Sequence, residues 1–371
     1  VDKDINPNIG LIQPIMNLKK VKYKIFQEMI NKTFQGDITE VNIFIDVHSV
    51  LSNFYQSTLQ DSFKNISVNE KYKICAELIN IAAHYRHFFW SRYGIRTYFY
   101  YYYSDKEAEF NTSLNDTYRR DFYNKILYED VNSEHYALNG IIKKNIKLAK
   151  LIIDYIPNVY FFNTKSFNYT VFPYFAISDM IDYSGNENYI NLIMTNDTVQ
   201  YQCCNLEKTY VMSMRSDNSK IIYEDELINS LLTKTKSKDK SSLDSSFYRI
   251  ILAMSGYKKY NLEGKKGFGY SRSITALEKL IDSGKISNIP YSDIDIILDN
   301  IENLSDDDKG FIRNNFKMFD YETIKNSMTE KEYYNIMKQV KDINNWQSVM
   351  EVNEVYFKNS PLMTQELIEG V

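Results

Sequence analysis

Four short runs constrain the fold of this chain more than anything else in it. Residues 41–46 (VNIFID), Arg96–Tyr103 (RTYFYYYY), Val159–Asn163 (VYFFN) and 190–195 (INLIMT) are dense in β-branched and aromatic residues. Strands that are apolar on both faces sit inside parallel sheets covered by helices. The intervals between them carry helical patterns. Tyr72, Cys75, Leu78, Ile79, Ala82, Arg86 and Phe89 recur at helical spacing. Residues 117–127 read as a charged helix, 141–156 as an amphipathic helix stopping at Pro157, and 175–183 as a further helix. Strands alternating with helices define an α/β layer with a parallel sheet, where sites form at the carboxyl ends of strands. Asp46 and Asp197 stand at two such ends. From residue 201 onward, TYVMSM and KIIYED read as hairpin strands at the sheet edge.

The chain divides by composition. Residues 1–40, with an amphipathic stretch near 19–33, read as an N-terminal adaptor segment. Residues 41–232 hold the strand–helix alternation, 233–243 are a polar, lysine-rich linker, and 244–371 are helical throughout. With 32 Tyr and 21 Phe against 12 Gly and 6 Pro, the chain is ordered and able to bury a large core. A formal net charge of -4 leaves nucleic-acid contact to a local basic patch. Cys75, Cys203 and Cys204, an odd count with one adjacent pair, form no disulfide framework and fit a reducing compartment. No apolar run approaches the ~18 residues of a membrane span, and the start VDKDINPNIG is too polar for a signal peptide. The expected location is inside a cell, or in a virus growing in one.

Residues 251–281 read ILAMSGYKKYNLEGKKGFGYSRSITALEKLI. Gly256, Asn261, Leu262, Gly264, Gly267 and Gly269 stand in the order of the helix–hairpin–helix of the flap-endonuclease/5′-exonuclease family. This stretch resembles that family, and its bacteriophage members in particular. The resemblance implies a PIN-like parallel sheet flanked by helices, followed by a helical half with an H3TH-like hairpin over 256–281. It places Asp46 (IFID), Asp179 (AISDMIDY) and Asp197 (LIMTNDTVQ) at metal-ligand positions. It implies backbone contacts to DNA from Arg119 and Arg120 in TYRRDFYNK, and from Gly264, Lys265, Lys266, Gly267, Gly269, Ser271, Arg272 and Ser273 in the hairpin. A glycine-rich turn before a helix lets the backbone approach a phosphate, which positions a duplex without reading its sequence.

At the metal site the chain departs from the family pattern. Tyr257 and Tyr260 stand where the family has aspartates, Ala176 where it has a glutamate, and Val199 where it has a second strand-end aspartate. Near the end of the second strand, Tyr102 and Ser104 leave Asp105 as the nearest carboxylate. Two-metal chemistry holds two ions roughly 4 Å apart among crowded carboxylates. A phenol is neutral at pH 7 and does not replace that charge. Asp46, Asp179 and Asp197 are therefore expected to be vestigial, with no cofactor and no catalysis. The expected role is a bacteriophage structural (virion) or DNA-binding accessory component. Its partners would be other phage proteins and double-stranded or branched DNA; no membrane is involved, and an oligomer stays open. The alternative is an active Mg²⁺-dependent 5′-nuclease with a reduced site completed by Asp105, Asp182 or Glu187.

Plainer readings stand beside these. An aspartate at a strand's end commonly caps a turn, and the hairpin also fits a helix–turn–helix corner kept for packing. His84 and His87 are spaced to share a metal, but packing or surface roles suit them better. The tyrosines at 100–103 suit base stacking or, more commonly, a half-buried sheet surface. Residues 234–240 read as a solvated loop.

Overall fold

The computed structural model describes residues 28–29, 38–51, 73–104, 113–114, 136–154, 156–164, 168–178, 188–214, 220–232, 241–286 and 293–333. Arg119, Arg120, Asp105, Asp179, Asp182, Glu187, the charged helix at 117–127, the stretch at 19–27 and the lysine run at 234–240 lie outside the described residues.

The apolar runs become strands. β1 (Glu40–Asp46), β2 (Arg96–Tyr103), β3 (Val159–Asn163), β4 (Tyr189–Thr195), β5 (Thr209–Ser213) and β6 (Ile221–Ile222) make one sheet in the order β3-β2-β1-β4-β5-β6. β1 lies at its centre, parallel to β2 and β4, and Asp46 is in register with Tyr102. TYVMSM and KIIYED do pair antiparallel, but β5 also runs parallel to β4, so β6 alone reverses direction.

Two helices, α1 (Lys73–Tyr93) and α2 (Tyr136–Ile153), cover one face. Side chains alternate across a strand. Ile43, Ile45, Phe99 and Tyr101 therefore join Leu78, Ala82, Phe89, Ile146 and Ile153 in one core. Phe44, Tyr100, Tyr102, Phe162 and Ile193 point the other way into a second core. The tyrosine run is mostly interior: Tyr101 and Tyr102 are 0% exposed, with hydroxyls donated to Leu78 O and to Gln200 Oε1. Those two rings are wall material, not a platform for bases.

The second face is closed by shorter helices: α3 (Phe172–Ala176), α4 (Leu227–Leu232), α5 (Tyr248–Ser255), α6 (Tyr270–Asp282), α7 (Ile294–Asn300), α8 (Asp306–Phe319) and α9 (Tyr321–Asn326). Phe172, Phe175, Tyr248, Leu252, Leu277 and Phe316 pack into the same core as Phe44 and Ile193, so the sheet and the helical half share one interior. Ser305 and Asp308 form a reciprocal capping box that starts α8. At its far end Asp320 caps α9 through Thr323 N at 3.1 Å and is ion-paired with Arg249 of α5. No described helix is long and apolar enough to cross a membrane.

Candidate functional site at the carboxyl edge of the sheet

Asp46 ends the central strand and is 0% exposed. Its Oδ2 accepts from Thr195 Oγ1 (2.7 Å), Ser49 Oγ (2.8 Å) and Gln200 Nε2 (3.0 Å), and Oδ1 accepts from Ser49 N at 3.2 Å. Tyr102, where the second strand's acid was sought, donates to Gln200, so β2 reaches Asp46 through an amide. Burial pushes the Asp46 carboxyl above its usual range, against the opposing pull of the nearby Lys259 charge. His48 is buried beside it, its Nε2 accepting from Ser104 N at 3.2 Å.

Asp197 follows β4 and is also 0% exposed. Locally it does what an aspartate after a strand does: Oδ1 caps the next turn by accepting from Val199 N at 3.1 Å. Its remaining capacity is taken by the hairpin. Tyr260 OH donates to Oδ2 at 2.7 Å, Lys259 Nζ lies 3.1 Å from the same oxygen, and Tyr257 OH lies 3.4 Å from Oδ1. The two tyrosines that the sequence reading set at aspartate positions thus bind Asp197. Burial raises the Tyr257 phenol well above its ordinary range, so it stays a neutral donor. Thr195 links the two acids, donating to Asp46 while accepting from Asp197 N at 3.0 Å.

The hairpin between α5 and α6 is built on its glycines. Gly256 (φ 71°) ends α5, and Asn261 (φ 55°) takes the left-handed conformation that asparagine tolerates. Tyr257 and Leu262 then pair as an isolated antiparallel bridge, with Leu262 buried. Asn315 of α8 pins the unit, donating to Ala253 O (3.1 Å) and Glu263 O (2.8 Å). Asn315→Ala strands both carbonyls in a buried setting and is expected to cost about 2 kcal/mol, read from the midpoint of urea unfolding.

The proposed phosphate-contact residues separate on this frame. Lys266, Gly267, Gly269 and Arg272 are exposed, Gly264 and Ser271 are half-buried, and Arg272 donates to Gly267 O at 2.9 Å. Ser273 is 0% exposed, its hydroxyl 3.0 Å from Ser255 Oγ, so it holds α6 to α5 instead of facing a ligand. The Lys265 ammonium is ion-paired with Asp308 at the start of α8, which holds that carboxyl below its usual range. Arg272 has companions that the sequence reading did not name. Arg272, Thr275, Lys279 and Ser283 share a face of α6 and, with Lys285 and Asn303, border a cavity of about 420 Å³. Their helical spacing was the available signal.

A parallel sheet of this order, with a glycine hairpin set against its carboxyl edge and a helical half beyond, is a PIN-like nuclease fold. Solved structures of the bacteriophage T5 enzyme share it. The chain resembles the T5 D15 protein co-crystallized with metal ions (TM-score 0.54, 11% identity, 84% of this chain and 99% of that one). It resembles T5 5′-exonuclease with divalent zinc bound (TM-score 0.57, 10% identity, 84% and 99%). It also resembles an aspartate-to-lysine variant of the T5 D15 flap endonuclease, described as a pseudo-enzyme–product complex with DNA and metal ions (TM-score 0.55, 11% identity, 85% and 99%). No protein-family profile matches the chain, and no curated protein matches it by sequence.

These neighbours correct one expectation. The sequence reading assigned no cofactor, whereas the structures that share the fold carry metal ions, zinc in one of them. The described residues do not fit the two-ion cluster: no group of three or more His, Cys, Asp or Glu among them is placed to hold a metal. His84 and His87 join no such group, and Asp46 and Asp197 spend their oxygens on protein donors.

Proposed function

We propose that this chain holds double-stranded or branched DNA on a nuclease fold without cutting it, as a DNA-binding accessory or virion component of a bacteriophage. The pairing at Asp197 carries the reading. Two phenols and an ammonium cover a carboxylate that a nuclease would present to an ion. Val199, whose backbone N–H Asp197 caps, and Ala176 are both buried and uncharged. The T5 pseudo-enzyme–product complex with DNA carries an aspartate-to-lysine change, and here Lys259 sets a lysine charge against Asp197. For DNA, support comes from the exposed Lys266 in the hairpin and from Arg272, Lys279 and Lys285, three cations that border one cavity with Glu302, on a chain of net charge -4.

A second reading is favoured by the metal ions of the neighbours: a metal-dependent 5′-nuclease whose site is completed by Asp179 and other acids outside the described residues. One experiment separates the two. Flap and duplex-end DNA are incubated with the protein in Mg²⁺ and in Mn²⁺, and binding is titrated across salt on the same samples. The expected outcome is uncut DNA and binding that weakens with salt. Arg272→Ala and Lys279→Ala should each reduce the salt slope by about 1. Cleavage abolished by Asp46→Ala would establish the second reading. A flat salt titration would remove DNA from the proposal.

A further inference from the structure

We infer that Lys259 is a built-in cation at the carboxyl edge of the sheet and competes with divalent metal ions for Asp197. This deepens the proposed function and rests on it in one respect, that the Asp46–Asp197 edge is where an ion would bind. Lys259 sits in the turn Lys258–Tyr260, between the two tyrosines that reach the same carboxylate. Its Nζ lies 3.1 Å from Asp197 Oδ2. The turn is fixed on both sides, by the Tyr257–Leu262 bridge and by the left-handed Asn261. The backbone of the turn therefore starts the Lys259 side chain toward Asp197.

The electrostatics call for such a charge. Asp46 and Asp197 are both 0% exposed, joined through Thr195, and each repels the other's ionised form. Phenols and amides stabilise one carboxylate by hydrogen bonding but add no net positive charge. Lys259 does, and its charge acts on Asp46 as well as on Asp197. A divalent ion needs the same oxygen at roughly 2.0–2.6 Å, a position that excludes an ammonium on that lone pair. Lys259 is 33% exposed while Asp197 is sealed. The lysine can leave toward water, whereas the acid stays. Metal and lysine thus exclude each other at one site, and removing the lysine must raise affinity for metal.

The test uses the full chain and Mn²⁺ alone, with free Mn²⁺ counted by electron paramagnetic resonance and unfolding followed in parallel. Lys259→Met keeps the stem and removes the charge; Lys259→Arg keeps the charge. Lys259→Met should bind one Mn²⁺ about tenfold or more tighter than wild type and should gain a Mn²⁺-dependent rise in melting temperature. Lys259→Arg should resemble wild type, and adding Asp197→Asn to Lys259→Met should abolish the gain. Equal Mn²⁺ affinity in wild type and Lys259→Met would overturn the inference, as would a gain that survives Asp197→Asn. If Lys259→Met is unfolded without metal, refolding in Mn²⁺ supports the competition and failure to refold overturns it. DNA cleavage by wild type would sink the proposed function while leaving this competition standing, because none of these readouts uses activity.

Discussion

Asp197→Ala is expected to destabilise the protein by about 3 kcal/mol in the absence of metal, measured by urea unfolding in EDTA. Asp197 is a buried junction. The substitution removes the acceptor of Tyr260, whose side chain is 0% exposed, and the cap on Val199 N. A buried donor left without its acceptor accounts for about 1–3 kcal/mol. Lys259 adds less than a sealed ion pair would, because at 33% exposure its ammonium can be resolvated. The sign is the informative part. In a nuclease awaiting its ions, acids crowd one another, and deleting one relieves repulsion and stabilises the metal-free protein. Here the acid is tied to phenols and an ammonium, and deletion removes an anchor. A stabilised Asp197→Ala would mean that the carboxylate is held for an ion, and the proposed function would fall with it. Asp197→Asn, whose single oxygen can still accept from Val199 N while its NH2 faces Tyr260 and Lys259, should lose about half as much.

Much of this arrangement was legible in the linear sequence. The central strands announced themselves because residues buried on both faces leave no polar alternation, and RTYFYYYY and VNIFID say so directly. The order of Gly256, Asn261, Leu262 and Gly264 was readable because left-handed backbone and close approach restrict the residue types at those positions. Tyr257, Tyr260, Val199 and Ala176 stood out in sequence as departures from the pattern the chain resembles. What these residues do was not readable. Lys259 and Asp197 are separated by 62 positions, and no pattern along the chain tells which of Lys258 and Lys259 turns inward. Gln200 and Thr195 were invisible as partners of Asp46 for the same reason: amides and hydroxyls have no periodicity, and their contacts come from folding. Ser273 was read as a phosphate donor because it lies among exposed donors in sequence, yet helix register turns it to Ser255. The ion pair of Lys265 was equally invisible, since Asp308 approaches it from a helix more than forty residues on.

Gly256→Ala should be the most damaging single substitution in the hairpin, at about 4 kcal/mol of lost stability. Gly256 sits at φ 71° and ψ 172°, a region that side chains beyond glycine hardly enter, and residues forced there are strained by about 1–3 kcal/mol. Overlap comes on top. A Cβ at this position would lie 2.2 Å from Gly264 N and 2.5 Å from Glu263 C, and both are backbone atoms that no rotamer change can move. The contact is reciprocal, because a Cβ on Gly264 would lie 2.1 Å from Ser255 O. The end of α5 and the returning hairpin strand therefore touch main chain to main chain. That contact allows Lys265 N to reach Met254 O at 2.9 Å and sets the turn that carries Tyr257, Lys259 and Tyr260 to Asp197. Gly269→Ala is the control: its φ is -87° and nothing lies within 4 Å of the added carbon, so the loss should stay under about 1 kcal/mol. Urea midpoints of the two variants decide the matter. Equal, small losses would mean that the main-chain contact is not what holds the hairpin. The expected gap of about 3 kcal/mol would make the main-chain contact at Gly256 the feature that holds the hairpin in place.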